Sequence, residues 1–262
     1  MSLMQAGLFD VFPIWTLIPI TLVIGAFSVE AGYRIAVWRK RHAKDGVEAP
    51  AAPIVGATLG LLAFLVAFTF GSAASRFEER RQTVLAESNA VNAAYLRAQM
   101  IPEPMSGNGR SLLRQYVDLR LNATQTGKLA EAIAKSEELH KRMWAEAVAA
   151  AQKERSPMTS LFMSSLNDVF ALHEKRVTAA VYNRIPTMIW IGLYVLLVFA
   201  MVVVGYYEGM SGTRHTLAVY GMVIAFSIVF ALIADLDRPG RGLLEVNQQS
   251  MVDLQKSMSQ SP

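Results

Sequence analysis

Residues 49–75 form 27 consecutive positions without a charged side chain, and the run stops at Arg76-Phe77-Glu78-Glu79-Arg80-Arg81. A bilayer core of roughly 30 Å needs about 20 apolar residues of helix, so this stretch is long enough to cross with some tilt. Beyond it the residues turn charged but stay helix-favouring, with no breaker before Pro102. The pattern predicts one helix that leaves lipid and continues into water. Such a helix suits the wall and mouth of an oligomeric pore.

Three further windows are equally free of charge: Val11–Val29, Ile185–Tyr207 and His215–Ala234. The chain is 53% hydrophobic and 18% charged, and residues 76–184 hold 28 of its 46 charged side chains. A soluble domain usually carries more charge, spread more evenly. The expected fold is therefore an all-α integral membrane protein with four transmembrane helices and a helical-bundle insertion between the second and third spans. The spans fall at about 13–38, 53–75, 186–207 and 215–235. Residues 1–75 then hold the first two spans, 76–184 the polar bundle, 185–237 the last two spans and 238–262 a polar tail, loosely ordered from Asn247 onward.

No Lys or Arg precedes the first apolar run, which is longer than a signal-peptide core, so it reads as a span and not as a cleaved leader. The absence of cysteine excludes disulfides and thiolate chemistry. The net charge of +4 comes from basic residues mixed with acids near membrane ends. That placement favours the lipid bilayer over nucleic acid as partner.

Glu30 and Arg34 sit one turn apart near the end of the first span and read as a structural ion pair, with Glu79 a second pairing candidate. Trp38 and the cluster Arg39, Lys40, Arg41 and Lys44 anchor that end, and Gly46, Pro50 and Pro53 shape the loop that follows. Small residues at Gly56, Gly60, Ala63, Ala67, Gly71 and Ala74 allow close helix packing in the second span. In the polar region, Pro102, Pro104, Gly107 and Gly109 end the long helix. A short helix around Leu112–Val117 follows, then one with Thr126 as its N-cap, then one from Ser156-Pro157 to Arg184 that kinks at Pro186 into the third span.

Of the four histidines, His42 and His215 read as solvent or interface residues, and His140 and His173 as core-edge side chains with a hydrogen bond in the bundle. Glu137-x-x-His140 has the spacing of carboxylate-bridged metal bundles, but those require a second copy on another helix. Neither a metal nor a cofactor is expected. Nucleophile elbows, phosphate loops and paired catalytic carboxylates are also missing, so no catalytic residue is assigned and the chain is not read as an enzyme.

The junction is the informative constellation. If copies surround an axis, Phe64 and Phe68 become stacked apolar rings at a constriction, and Arg76 and Arg81 become basic rings that attract small inorganic anions. The competing reading is snorkelling arginines on a non-conducting, membrane-anchored sensor or scaffold.

Ala67-Phe68, Arg76-Phe77-x-Glu79-x-Arg81 and Asn89 resemble the second membrane helix of bacterial bestrophins. Most of the chain resembles the bacterial bestrophin-like family, four-span proteins of unknown function. The likeness is carried by Glu30-Ala31-Gly32-Tyr33-Arg34, Phe64–Phe70, Tyr116-Val117-Asp118-Leu119-Arg120 and Leu236-Asp237-Arg238-Pro239. The resemblance implies a pentameric, passive anion (chloride) channel of the bacterial inner membrane, with the second helix lining the pore. The neck positions it implies are Gly60, Phe64 and Phe68, of which Gly60 departs from the bulky pattern. The calcium clasp of animal bestrophins has no counterpart here. Counting basic residues in short loops puts the loop after the first span in the cytoplasm and the bundle outside. The resemblance implies the reverse orientation.

Overall fold

The computed structural model describes residues 13–42, 52–126, 129–181, 183–212, 216–238 and 243–260. Lys44, Gly46, Pro50, His215 and the residues 239–242 lie outside them. Among the described residues all regular structure is helical: α1 (Ile14–His42), α2 (Ala52–Ala98), α3 (Met105–Thr126), α4 (Leu129–Lys153), α5 (Pro157–Val181), α6 (Thr187–Ser211), α7 (Thr216–Asp237) and α8 (Gln249–Gln260). Four of these, α1, α2, α6 and α7, are long and apolar enough to cross a membrane. The chain divides into two compact units. One comprises the described residues up to Arg76, Arg184–Arg238, Leu243 and Leu244; the other comprises Phe77–Asn183 and the residues from Glu245 onward.

In the membrane unit, α1 lies against α6 and α7. Lipid tails are as apolar as leucine, so helices gain little from hiding apolar surface and depend on close packing. The glycines make that packing possible. A Cβ on Gly205 would fall on the Val29 carbonyl, and one on Gly32 would fall on the Val202 carbonyl. Backbone therefore meets backbone at that crossing. Farther along, Thr21 Oγ1 and Tyr194 Oη are 2.9 Å apart, and Arg39 donates to Tyr206 Oη at 3.0 Å. At the end of α6, Gly212 adopts φ 73° and its N–H donates to the Glu208 carbonyl. Only glycine takes that conformation without strain.

The acids ending α7 tie the chain to itself. Asp237 Oδ1 accepts the Ile185 N–H at 2.9 Å and lies 3.7 Å from Arg76, while both oxygens of Asp235 accept the N–H groups of Leu243 and Leu244. Both carboxylates are buried and cap backbone groups.

The polar unit is built as water-exposed bundles are, around an apolar centre. Val91, Tyr95, Leu113, Tyr116, Met143, Ala147, Phe162, Leu166 and Val169 are buried together. Three expectations change here. The tail is not loose: Met251, Leu254 and Met258 repeat at helical spacing, join the same core, and hold α8 against α3. α5 stops at Val181 and α6 starts after Pro186, so residues 183–186 form a break and not a kink. Pro186 has φ −56° and ψ 139°, an extended entry into the helix. Finally, Thr126 is the last residue of α3 and not the cap of α4, and α3 runs 22 residues instead of forming a short helix.

Candidate functional site

Two arrangements stand out, one in each unit. The first is the apolar face of α2. Phe64 and Phe68 are 65% and 68% exposed, and added Cβ atoms at Gly56, Gly60 and Gly71 would meet nothing within 4 Å. Leu62, Val66 and Ala73, on the opposite side, are buried. Only 17% of this span is covered within the subunit, against 33–39% for the other three. The second span thus keeps a broad face of phenylalanine and glycine uncovered.

At a helical rotation of about 100° per residue, Arg76 lies roughly a third of a turn from the Phe64 direction. It reaches Asp237 at 3.7 Å instead of continuing the phenylalanine face. Arg81 is 65% exposed and pairs with Glu78 at 3.3 Å. Glu30 and Arg34 form their one-turn pair at 2.7 Å. Glu79 accepts from Asn183 at 3.3 Å and stands 4.0 Å from Lys175.

The second arrangement is a charged centre in the core of the polar unit. Glu87 of α2 is 0% exposed, and its carboxylate meets three partners. Tyr116 Oη donates to Oε1 at 2.5 Å, Arg120 Nε lies 3.3 Å from Oε1, and Arg176 Nη1 donates to Oε2. Arg176 Nη2 also donates to Gln248 Oε1 at 2.8 Å, just before α8. Burial alone would raise the Glu87 pKa, but the Arg176 and Arg120 guanidiniums and the Tyr116 hydroxyl hold it below the ordinary carboxylate value. The Tyr116 hydroxyl is pushed well above its ordinary range by burial and by the neighbouring Glu87 charge.

This protonation pattern fixes a histidine tautomer. An ionised Glu87 only accepts, so the single Tyr116 proton points to it. Tyr116 Oη must then accept from His173 Nδ1, 3.0 Å away, which leaves a bare lone pair on His173 Nε2. His140 of α4 lies edge-on to His173, with ring centroids 4.7 Å apart, and against Phe170 at 4.3 Å. Among the described residues no group of three or more potential ligands is arranged to hold a metal ion.

From the sequence, Tyr116 is a helix-face and family-motif residue and Arg120 a residue of the same motif, while Glu87 and Arg176 carry no role at such a centre. A signal was present. Glu87 falls inside the buried stripe Val84, Val91, Tyr95 and Ala98 of α2, where a charge demands a partner.

A Bestrophin-like domain model matches residues 21–251, nearly nine-tenths of the chain. The chain belongs to the bestrophin-like family. The family and the four long apolar helices support a channel-like membrane protein in general terms. Three crystal structures of a bacterial bestrophin homologue from Klebsiella pneumoniae share the fold. Two are single-substitution variants, superposing with TM-scores of 0.67 and 0.68 at 13% and 14% identity. They cover 95% and 94% of this chain and 99% and 96% of theirs. The third, phased on zinc, gives 0.67 at 13% identity over 95% of this chain and all of that one. At such identities the likeness concerns the fold alone. Among curated protein sequences, none matches this chain.

Proposed function

We propose that this bestrophin-like chain is one subunit of a homo-oligomeric ring in the bacterial inner membrane, a pentamer by the family resemblance, that passes chloride and similar small anions passively. In this reading α2 lines the pore, Phe64 and Phe68 form its narrow apolar rings, Gly60 leaves one ring short, and Arg76 and Arg81 set the positive potential at its mouth. The supporting observation is the uncovered face of α2: Phe64 and Phe68 are mostly exposed, Cβ atoms added at Gly56, Gly60 and Gly71 would meet nothing within 4 Å, and less of this span is covered than of the other three. Apolar rings can gate by dewetting, and arginine rings favour anions. The partners seen for the arginines refine their roles. Each arginine has an acidic partner, Arg76 with Asp237 at 3.7 Å and Arg81 with Glu78 at 3.3 Å; Arg81 is the more exposed of the two and is assigned the larger share of anion attraction.

Purified protein in liposomes should conduct chloride, and Phe64→Ala with Phe68→Ala should raise the conductance by widening and wetting the neck. Well-assembled oligomers that pass no halide would end the reading. So would a dimeric mass in native lipid, since a central pore needs about four or more subunits; a dimer would favour the sensor or scaffold.

A further inference from the structure

The charged centre of the polar unit accommodates one protonation state. Around Glu87 stand two guanidiniums, so the buried group already carries one surplus positive charge. Nε2 of His173 and Nε2 of His140 are both buried, and neither has a hydrogen-bond partner among the described residues. A proton on His173 Nε2 would create an N–H with no acceptor in reach, beside Arg120 and Arg176. An N–H at His140 Nε2, close to Arg120, would likewise lack an acceptor among the described residues.

The surroundings of the pair offer no compensation. From α2 comes Glu87, from α3 Tyr116 and Arg120, from α4 Trp144, and from α5 Phe170 and Arg176; Gln248, ahead of α8, meets Arg176. Glu87 is the one anion of this group, and both of its oxygens are already engaged by Tyr116, Arg120 and Arg176. A buried charge without a partner is among the costliest defects a core can hold. Opening to water is the available relief.

We propose that the imidazole pair His140–His173 is an acid-triggered release in the polar unit: a proton gained on either Nε2 separates α4 and α5, Arg176 with them, from Glu87, Tyr116 and Arg120 on α2 and α3. Channel activity is not assumed in this step, so it stands or falls apart from conduction.

The sign follows from the titration of the two rings. For His173, burial, with Arg120 and the neighbouring His140, lowers the pKa to about 3. For His140, burial outweighs the pull of Glu87 and, with Arg120, lowers it to about 4. In the open form both return toward the ordinary value of about 6.5. The open form therefore binds more protons between those limits. Stabilisation by the neutral pair is complete above about pH 6.5, declines as pH falls, and is exhausted near the closed-form values. With two sites, the open population rises by up to about a hundredfold per pH unit inside that window.

The test is hydrogen exchange on the full chain in lipid nanodiscs, corrected for the intrinsic pH dependence of exchange. Protection in α4 and α5 should fall tenfold or more between about pH 6.5 and about pH 4.5, while α1 and α6 keep theirs. The double variant His140→Gln with His173→Asn, whose Asn amide can still donate to Tyr116, should move the onset down by about one pH unit or more. An unchanged onset in that variant, or flat wild-type protection, overturns the proposal. Should the variant fail to assemble, solid-state NMR of ring-labelled histidine in the wild type decides. Two rings that stay neutral well below about pH 6 and titrate with the loss of protection support the release. Four rings titrating independently near about 6.5 overturn it.

Discussion

The membrane unit and the polar unit are both bundles of helices, yet they are held by opposite means. In the membrane unit the decisive contacts are backbone on backbone, made possible by Gly32 and Gly205, and ordered by a few hydrogen bonds such as that between Thr21 and Tyr194. In the polar unit large side chains fill a centre, with Tyr95, Tyr116, Phe162 and Met143 fully buried around one charged cluster. The contrast is one of solvent. Lipid removes the incentive to bury leucine and rewards shape; water rewards burial and tolerates a charge only when its partners are in place.

The sharpest way to break the comparison is to spoil shape in the membrane unit. Gly205→Leu would drive a side chain into the Val29 carbonyl, a backbone atom that cannot move aside. The cost should exceed the roughly 1–3 kcal/mol typical of overpacking a core, because no rotamer relieves it. The expected result is loss of monodisperse, detergent-extractable protein in size-exclusion chromatography. Gly192→Leu on the same helix, where an added Cβ meets nothing within 4 Å, should leave the profile unchanged. Equal behaviour of the two would mean that α1 and α6 do not meet through glycine.

The next largest effect tests the other principle. Glu87→Ala removes the anion from beneath Arg120 and Arg176 and leaves Tyr116 without its acceptor. Breaking a buried pair on one side costs about 3–5 kcal/mol. The polar unit should lose exchange protection in α3 and α5, with the membrane unit unaffected. Glu87→Gln keeps the shape and one acceptor and should be the milder variant. If alanine is tolerated as well as glutamine, the centre is space-filling and its charges are incidental.

How much of this was readable beforehand depends on the range of the interactions. The spans and the long α2 were legible because charge exclusion and the lack of a breaker are local properties of residues 49–101. The repeat of Phe64 and Phe68 was legible for the same reason. The partner of Arg76 was not, since Asp237 is distant in sequence and nothing at Arg76 announces it. The break before α6 was misread as a kink because Pro186 permits either outcome. The choice is reinforced by Asp237 accepting the Ile185 N–H from 52 residues away. α8 was missed because its sequence is mostly polar. Met251, Leu254 and Met258 specify a helix only once a core exists to receive them. Glu87 lay in plain view inside an apolar stripe, but its meaning required Arg120 and Arg176 on two other helices.

The smallest expected effect concerns the border between the two solvents. Glu30 and Arg34 join at 2.7 Å across one turn of α1, with the arginine side chain 77% exposed. An exposed pair of this kind contributes about 0.3–0.5 kcal/mol and weakens as salt rises. Glu30→Gln should therefore change thermal stability in detergent by little more than the scatter, and raising salt should erase even that. An arginine left alone at hydrocarbon depth would behave otherwise, costing about 2.5–3.5 kcal/mol on the insertion scale. A large, salt-insensitive loss in Glu30→Gln would place this turn of α1 inside the hydrocarbon. The shape-governed region would then extend at least one turn further along α1 than the interfacial cluster at Trp38 and Arg39 suggests.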